Sequence, residues 1–152
     1  MKSLTLLLLL ATLTACGSAP TRQNDASAAQ MNELVMYAMS LADTPYRYGG
    51  NNVGAGFDCS GYVRHVYAQV FDLELPRTSK QISRVGTPLH PAELRPGDLV
   101  FYDTQRSPYS HVGLYIGDGK FVHSPKSGDR IRVERMELNY WKTRFSGARR
   151  MR

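Results

Sequence analysis

The stretch His111-Val112-Gly113-Leu114-Tyr115-Ile116-Gly117-Asp118-Gly119-Lys120-Phe121-Val122-His123 reads as a β-hairpin with a histidine at each end. Two alternating apolar runs are joined by Gly117-Asp118-Gly119, whose composition supplies the positive backbone angles that a tight hairpin needs. With a three-residue loop, Ile116 faces Lys120 and Gly113 faces His123. His111 then lies diagonally beside His123 on one side of the sheet, while Val112, Leu114, Ile116 and Val122 share the other. Diagonal neighbours stand about 7–8 Å apart at Cα, so two imidazoles can touch. A two-residue or four-residue loop would reverse the parity and separate them.

Outward from this hairpin the period changes. On its C-terminal side, residues 131–135 form another strand candidate, with a weaker one near 142–146. On its N-terminal side, Leu99–Tyr102 follows the turn Pro96-Gly97-Asp98 and reads as a strand. Further upstream the pattern is helical. Leu34, Val35, Ala38 and Leu41 make one apolar face of a helix over 27–41, and Cys59, Val63, Val66, Tyr67 and Val70 make a stripe on a second helix that starts near Asp58. Residues 78–84 suit a short third helix, and residues 43–57, with Pro45 and repeated Gly and Asn, suit a loop of special backbone geometry. Helices followed by a run of antiparallel strands predict an α+β domain, its N-terminal helices packed on an antiparallel sheet of about five strands.

The chain has 152 residues, a net charge of +6 and two cysteines. Lys2 and the apolar run from Leu4 to Leu10 have the form of an export signal, too short to span a bilayer, which takes about 20 apolar residues. Leu13-Thr14-Ala15-Cys16 resembles the bacterial lipobox, in which cleavage precedes the cysteine and its sulfur carries the lipid. Cleavage near Ala15 as in an ordinary secretory signal is the alternative. Bacterial lipoprotein sorting, with Gly17 rather than Asp after the cysteine, implies the outer membrane and its periplasmic face. The expected organisation is therefore a signal peptide over 1–15, lipidated Cys16 with a flexible tether over 16–29, and one domain over 30–152. Arg144, Arg149, Arg150 and Arg152 gather positive charge at the C-terminus, either as a basic face for anionic partners or as a solvated tail. Nucleic acid is not an expected partner of an exported chain.

With Cys16 assigned to lipid, Cys59 is the one thiol left in a compartment that oxidises unpaired thiols. If Asp58 is the N-cap, Cys59 takes the first helical position, where the helix dipole favours thiolate. Its neighbours are Asp, Ser and Gly rather than an apolar run, which suits a reactive thiol better than an inert one. A thiol nucleophile needs a histidine to move its proton. His65 falls off the apolar stripe of its helix and His90 precedes a proline, so both read as surface residues. His111 and His123 are the odd residues on their face of the hairpin.

These motifs resemble the NlpC family of bacterial cell-wall cysteine peptidases. The resemblance rests on Phe57-Asp58-Cys59-Ser60-Gly61, on His111 to Gly117, and on Gly119-Lys120-Phe121-Val122-His123. Pro45-Tyr46-Arg47-Tyr48-Gly49-Gly50 and Leu94-Arg95-Pro96-Gly97-Asp98-Leu99-Val100-Phe101 match the flanking motifs, and the likeness runs from about Met31 to Arg150. Leu73-Glu74-Leu75-Pro76-Arg77 and the ending from Tyr140 to Arg150 look most like the Spr-type murein endopeptidase lipoproteins. The resemblance implies a reduced papain-like fold with Cys59 as nucleophile, His111 as general base and acid, and His123 orienting His111. It also implies that Tyr46 helps to hold the oxyanion with the Cys59 amide, and that Asp58 and Ser60 line the substrate site. The substrate implied is the stem peptides of peptidoglycan, with the D-alanine–diaminopimelate cross-link favoured over the D-glutamate–diaminopimelate bond. A monomer without cofactor or metal is expected.

Three other readings use the same residues. Cys59, His111 and His123 can be counted as three zinc ligands, but no fourth stands at ligand spacing. A wall-binding lipoprotein would need none of the three groups. Amidase or acyltransferase chemistry would keep the nucleophile and change the bond.

Overall fold

The computed structural model describes residues 22–151. The lipobox-like stretch with Cys16, and Arg152, lie outside the described residues. Helix α1 spans Arg22–Ser40 and begins ahead of the expected 27. The run Ala26 to Gln30 is rich in alanine, whose high intrinsic propensity carries a helix beyond its apolar stripe. Leu34 and Ala38 of this helix are fully buried.

Residues after α1 form a glycine-bearing loop with two short strands, β1 (Asn51–Asn52) and β2 (Gly56–Phe57), paired antiparallel. Helix α2 (Cys59–Phe71) follows at once, and α3 (Ser79–Ile82) is capped by Thr78 and Gln81 in a reciprocal capping box. Then come β3 (Thr87–Leu89), β4 (Leu99–Tyr102), β5 (His111–Gly117), β6 (Lys120–His123), β7 (Arg132–Arg135), the short helix α4 (Asn139–Lys142) and β8 (Phe145–Arg150). Strands β3 to β8 make one antiparallel sheet in the order β3-β8-β4-β5-β6-β7.

The sheet has six strands rather than about five. β3 contains Pro88, which removes a ladder donor and hides the strand from a propensity reading; it sits at the sheet edge, where that loss is tolerated. The weak strand expected near 142–146 is instead the end of α4 followed by β8, which lies inside the sheet between β3 and β4. Its Phe-Ser-Gly-Ala-Arg-Arg run has no apolar alternation because its arginines are used internally. Arg149 Nε donates to the Ser83 carbonyl at 2.7 Å, and Arg150 makes a two-pronged bond to the buried Asp98 at 2.8 and 2.7 Å. The C-terminal arginines therefore do not form a free basic face: Arg149 and Arg150 are structural, leaving Arg144 among the described ones.

Each face of the sheet carries its own apolar layer. Leu99, Phe101, Val112, Leu114 and Val122 face α1 and α2, whose Leu34, Ala38, Val63, Val66 and Tyr67 complete that core. Tyr62 of α2 donates to the Ala38 carbonyl at 2.9 Å and ties the two helices. Val100, Tyr102, Phe121 and Ala148 face the other way and are covered by Trp141 of α4. A side chain at Gly61 would run into the Gly50 carbonyl, so glycine there lets the β1–β2 loop lie directly against the first turn of α2.

Candidate active site

The hairpin reaches the expected parity by a different route. Gly117 pairs with Lys120, so the turn is the two-residue Asp118-Gly119, with positive φ at both positions. An irregularity between Tyr115 and Gly117 adds one residue to β5, and beyond it Leu114 pairs with Val122. The bulge thus restores the register that a two-residue turn alone would have reversed. His111 and His123 end on one face, with His111 Nε2 and His123 Nδ1 2.7 Å apart. Their rings are perpendicular, and Trp141 stacks on His111 and meets His123 edge-on.

Both imidazoles are buried and lie below the usual imidazole range. Burial is the cause for His111; for His123 burial is reinforced by His111 and by Arg132. His111 Nε2 is occupied by His123, which leaves Nδ1 as the nitrogen free to exchange a proton. Because the two nitrogens point at each other, they are not arranged to share an ion. Among the described residues no three His, Cys, Asp or Glu side chains are grouped to hold a metal.

Asp58 is the N-cap of α2, its Oδ1 accepting from Gly61 N at 2.6 Å, and Cys59 is the first helical residue. The thiol reaches the backbone amide of Val112, next in sequence to His111. The expectation of a pre-ionised thiolate is not met. Burial pushes the Cys59 thiol up to about 11, and the Asp58 carboxylate adds to this. The amides of Val112, Ser60 and Cys59 pull the other way, but they do not outweigh desolvation. Thiol and imidazole are therefore both neutral at rest, the thiol meeting β5 at the Val112 amide.

Tyr46 is half-buried, its backbone N–H bonded to the Asp129 carbonyl at 2.9 Å and its backbone bridged to Phe57. Burial, then Cys59 and Asp58, raise its phenol above the usual value, so it is a neutral donor close to the thiol. Ser60 is buried; its hydroxyl donates to Asp58 Oδ1 at 3.1 Å and accepts from Arg77 Nη1 at 2.9 Å. Arg77 Nη2 also holds Asp58 Oδ2 at 2.6 Å, and Gly49 N donates to the same oxygen. Asp58, Ser60 and Arg77 thus form one bonded cluster at the start of α2, beside Cys59. Arg77 has no local sequence signal: it follows Pro76 in a loop, 19 residues from Asp58. Trp141 was equally hidden, because its short helix interrupts a stretch that reads as strand.

The two remaining histidines divide. His90 is exposed, as expected. His65 is half-buried rather than at the surface, bonded to the Tyr37 hydroxyl at 2.9 Å and packed on Phe57 at 5.0 Å between ring centroids.

His111, Tyr46 and Trp141 open onto a cleft of about 470 Å³, whose outer rim carries Lys126, Asp129, Arg132 and Glu134. Arg132 bridges Asp129 and Glu134, so Lys126 is the rim cation outside that cluster.

Over 124 residues the chain is 40% identical to murein DD-endopeptidase MepH of Escherichia coli K12, covering 80% of this chain and 44% of that protein. It is 35% identical over 118 residues to the gamma-DL-glutamyl hydrolase of Bacillus subtilis 168, covering 77% of this chain and 28% of that one. The chain thus spans less than half the length of either relative. The crystal structure of an NlpC/P60 family protein from Bacillus cereus ATCC 10987 superimposes with a TM-score of 0.73 at 31% identity, over 80% of this chain and 40% of the other. The profile of the NlpC/P60 family matches residues 43–150, which take in the cysteine helix, the histidine hairpin and the whole sheet, and the chain belongs to that family.

Proposed function

We propose that this protein is a peptidoglycan endopeptidase of the cysteine type, with Cys59 as nucleophile and His111 as its proton carrier. The observation that carries this reading is the His111–His123 contact at 2.7 Å, one residue along β5 from the Val112 amide that the Cys59 thiol meets at the start of α2. Because thiol and imidazole rest neutral, the proton moves as the bond forms. The Cys59 sulfur attacks a peptide carbonyl carbon while its proton passes to His111 Nδ1. Charge develops on the carbonyl oxygen, where the Cys59 amide and the Tyr46 hydroxyl are the available donors. His111 then protonates the leaving amine, and the acyl-enzyme is released by water that gives its proton to the same nitrogen. Asp58 and Ser60, held by Arg77, are placed to meet the substrate on the helix side.

The bond proposed is the D-alanine–diaminopimelate cross-link, in keeping with the name of the MepH relative. The gamma-DL-glutamyl hydrolase supports the D-glutamate–diaminopimelate bond as the second reading. Digesting purified peptidoglycan and weighing the products decides between them. Conversion of cross-linked dimers to monomers supports the first, cleavage after D-glutamate supports the second, and free intact stem peptides mean an amidase. Unchanged peptidoglycan would leave only wall binding.

Tyr46→Phe tests the oxyanion role. Losing one such donor costs about 10²–10³-fold in kcat. The expected result is a fall of that order with unchanged thermal unfolding; full activity would remove Tyr46 from the mechanism.

We also propose that Cys16 carries the lipid that anchors the chain to the outer membrane, facing the periplasm. The lipobox-like Leu13-Thr14-Ala15-Cys16 supports this. Radiolabelled palmitate should enter the wild-type chain and not Cys16→Ser, and equal labelling of both would sink the anchor.

A further inference from the structure

A second cavity, about 790 Å³, adjoins the cleft lined by Tyr46, His111 and Trp141, and Thr104 and Tyr140 line both. Its own walls bring together Asp103, Arg106 and Tyr109 from the β4–β5 connection with Arg144 from the stretch before β8. The connection is held in an unusual shape. Arg106 and Tyr109 both have left-handed backbone angles, φ 54 and φ 62, which non-glycine residues seldom adopt. Such conformations persist where the surroundings over-determine them. Here Asp103 Oδ1 accepts from Ser107 N at 2.7 Å, Ser110 Oγ accepts from Thr104 N at 3.0 Å, and Ser79 Oγ donates to the Tyr109 carbonyl at 2.7 Å. Gly147 of β8 leaves room for the Tyr109 ring, since a Cβ there would lie 3.2 Å from it.

The cavity is rich in positive charge. Neither Arg106 nor Arg144 is in an ion pair among the described residues. The Arg144 guanidinium lies 4.0 Å over the Tyr140 ring, and its Nη1 donates to the Tyr140 carbonyl, which presents a planar cation at the ridge between the cavities. Asp103 is the one acid lining the cavity, and the Ser107 amide occupies one of its oxygens. Two guanidinium groups against one engaged carboxylate suit a planar anion bound by paired N–H donors.

We propose that this cavity is a carboxylate subsite for the second stem peptide of a cross-linked substrate, whose first stem lies in the catalytic cleft. This rests on the peptidoglycan reading above. A cross-link joins two peptides, so substrate continues on both sides of the cleaved bond, and each stem carries free carboxylates. The two cavities meeting at Tyr140 give each stem its own bed, with Arg106 and Arg144 reading charge on the second.

The test uses the full chain in detergent and purified muropeptide dimers, with carboxylates either free or amidated. In Arg106→Gln/Arg144→Gln, KM for the free-carboxylate dimer should rise about tenfold, as expected for loss of charge-assisted bonds at a partly exposed site. The double lysine variant, which restores the charge but not the paired N–H fork, should recover only part of this, and the amidated dimer should bind wild type and glutamine variant equally weakly. An unchanged KM for the free-carboxylate dimer in the glutamine variant overturns the subsite. So does the same loss with the amidated dimer, which would mean a general effect on the fold. Dimer binding to chains carrying Cys59→Ala, with and without the arginine changes, is measured in parallel. Wild type that cleaves no peptidoglycan fragment would sink the endopeptidase reading, while charge-dependent binding would still decide the subsite.

Discussion

Cys59→Ala is expected to remove peptidoglycan cleavage altogether while leaving the fold intact. The thiol is half-buried at the first position of α2, where the Asp58 side chain supplies the cap by holding the Gly61 amide. Its deletion therefore costs the nucleophile and little else. The intact thiol should itself behave in an unusual way. With burial holding it near 11, the thiolate fraction at pH 7 is about 300-fold smaller than for a free cysteine of pKa about 8.5. Alkylation by iodoacetamide should accordingly be slow at neutral pH and rise steadily into the alkaline range. A plateau of fast alkylation reached near pH 6 would mean that thiol and imidazole already exist as an ion pair, and would falsify proton transfer during attack. The helix dipole argues for that ion pair and desolvation argues against it. Desolvation is the larger effect here because Cys59 is pressed against β5 rather than left open to water.

His111→Ala should lower kcat/KM by about 10²–10⁴-fold, the range for loss of a general acid–base group. Combined with Cys59→Ala it should add nothing, since the two groups act as a unit. His123→Leu should have a smaller effect of the same kind, by freeing the His111 ring to turn and lose its useful tautomer. His123→Asn keeps an acceptor and should recover part of the loss.

The pH dependence follows from the buried, neutral state of both rings. His111 must be unprotonated to act as base. Because its folded pKa is lowered, activity should persist below pH 6.5, where an exposed imidazole would already be half charged. Stability should move with pH in the same window. Below about pH 6.5 the unfolded chain binds protons that the folded imidazoles refuse, so stability falls as pH drops, by at most about 1.4 kcal/mol per pH unit for each histidine. Thermal unfolding between pH 7 and pH 5 measures this, and His123→Leu should flatten the slope. A midpoint that does not change across that range in the wild-type chain would mean that the rings titrate normally.

Much of this site was legible along the chain because its parts are local. The Asp58 cap, the start of α2 at Cys59 and the strands Leu99–Tyr102 and Lys120–His123 stand where residue type and spacing place them. The meeting of His111 and His123 was legible in its outcome but not in its cause. A two-residue turn and a bulge shift the register twice, and only strand pairing decides whether the shifts cancel. β3 and β8 were hidden for another reason. Pro88, Arg149 and Arg150 are poor strand residues by propensity, and their acceptance depends on a sheet edge and on Asp98, which lies far off in sequence.

By itself, then, the sequence determined the fold class, the place of Cys59 at the start of its helix and the meeting of the two histidines on one face. Each of these depends on periodicity or capping over a few residues. Tertiary structure alone decided the charge state of the thiol, the clamp of Arg77 on Asp58 and Ser60, the Trp141 cover over the imidazoles and the cavity of Arg106 and Arg144. Desolvation and long-range contact are properties of what surrounds a residue in space, and neighbours along the chain do not specify them.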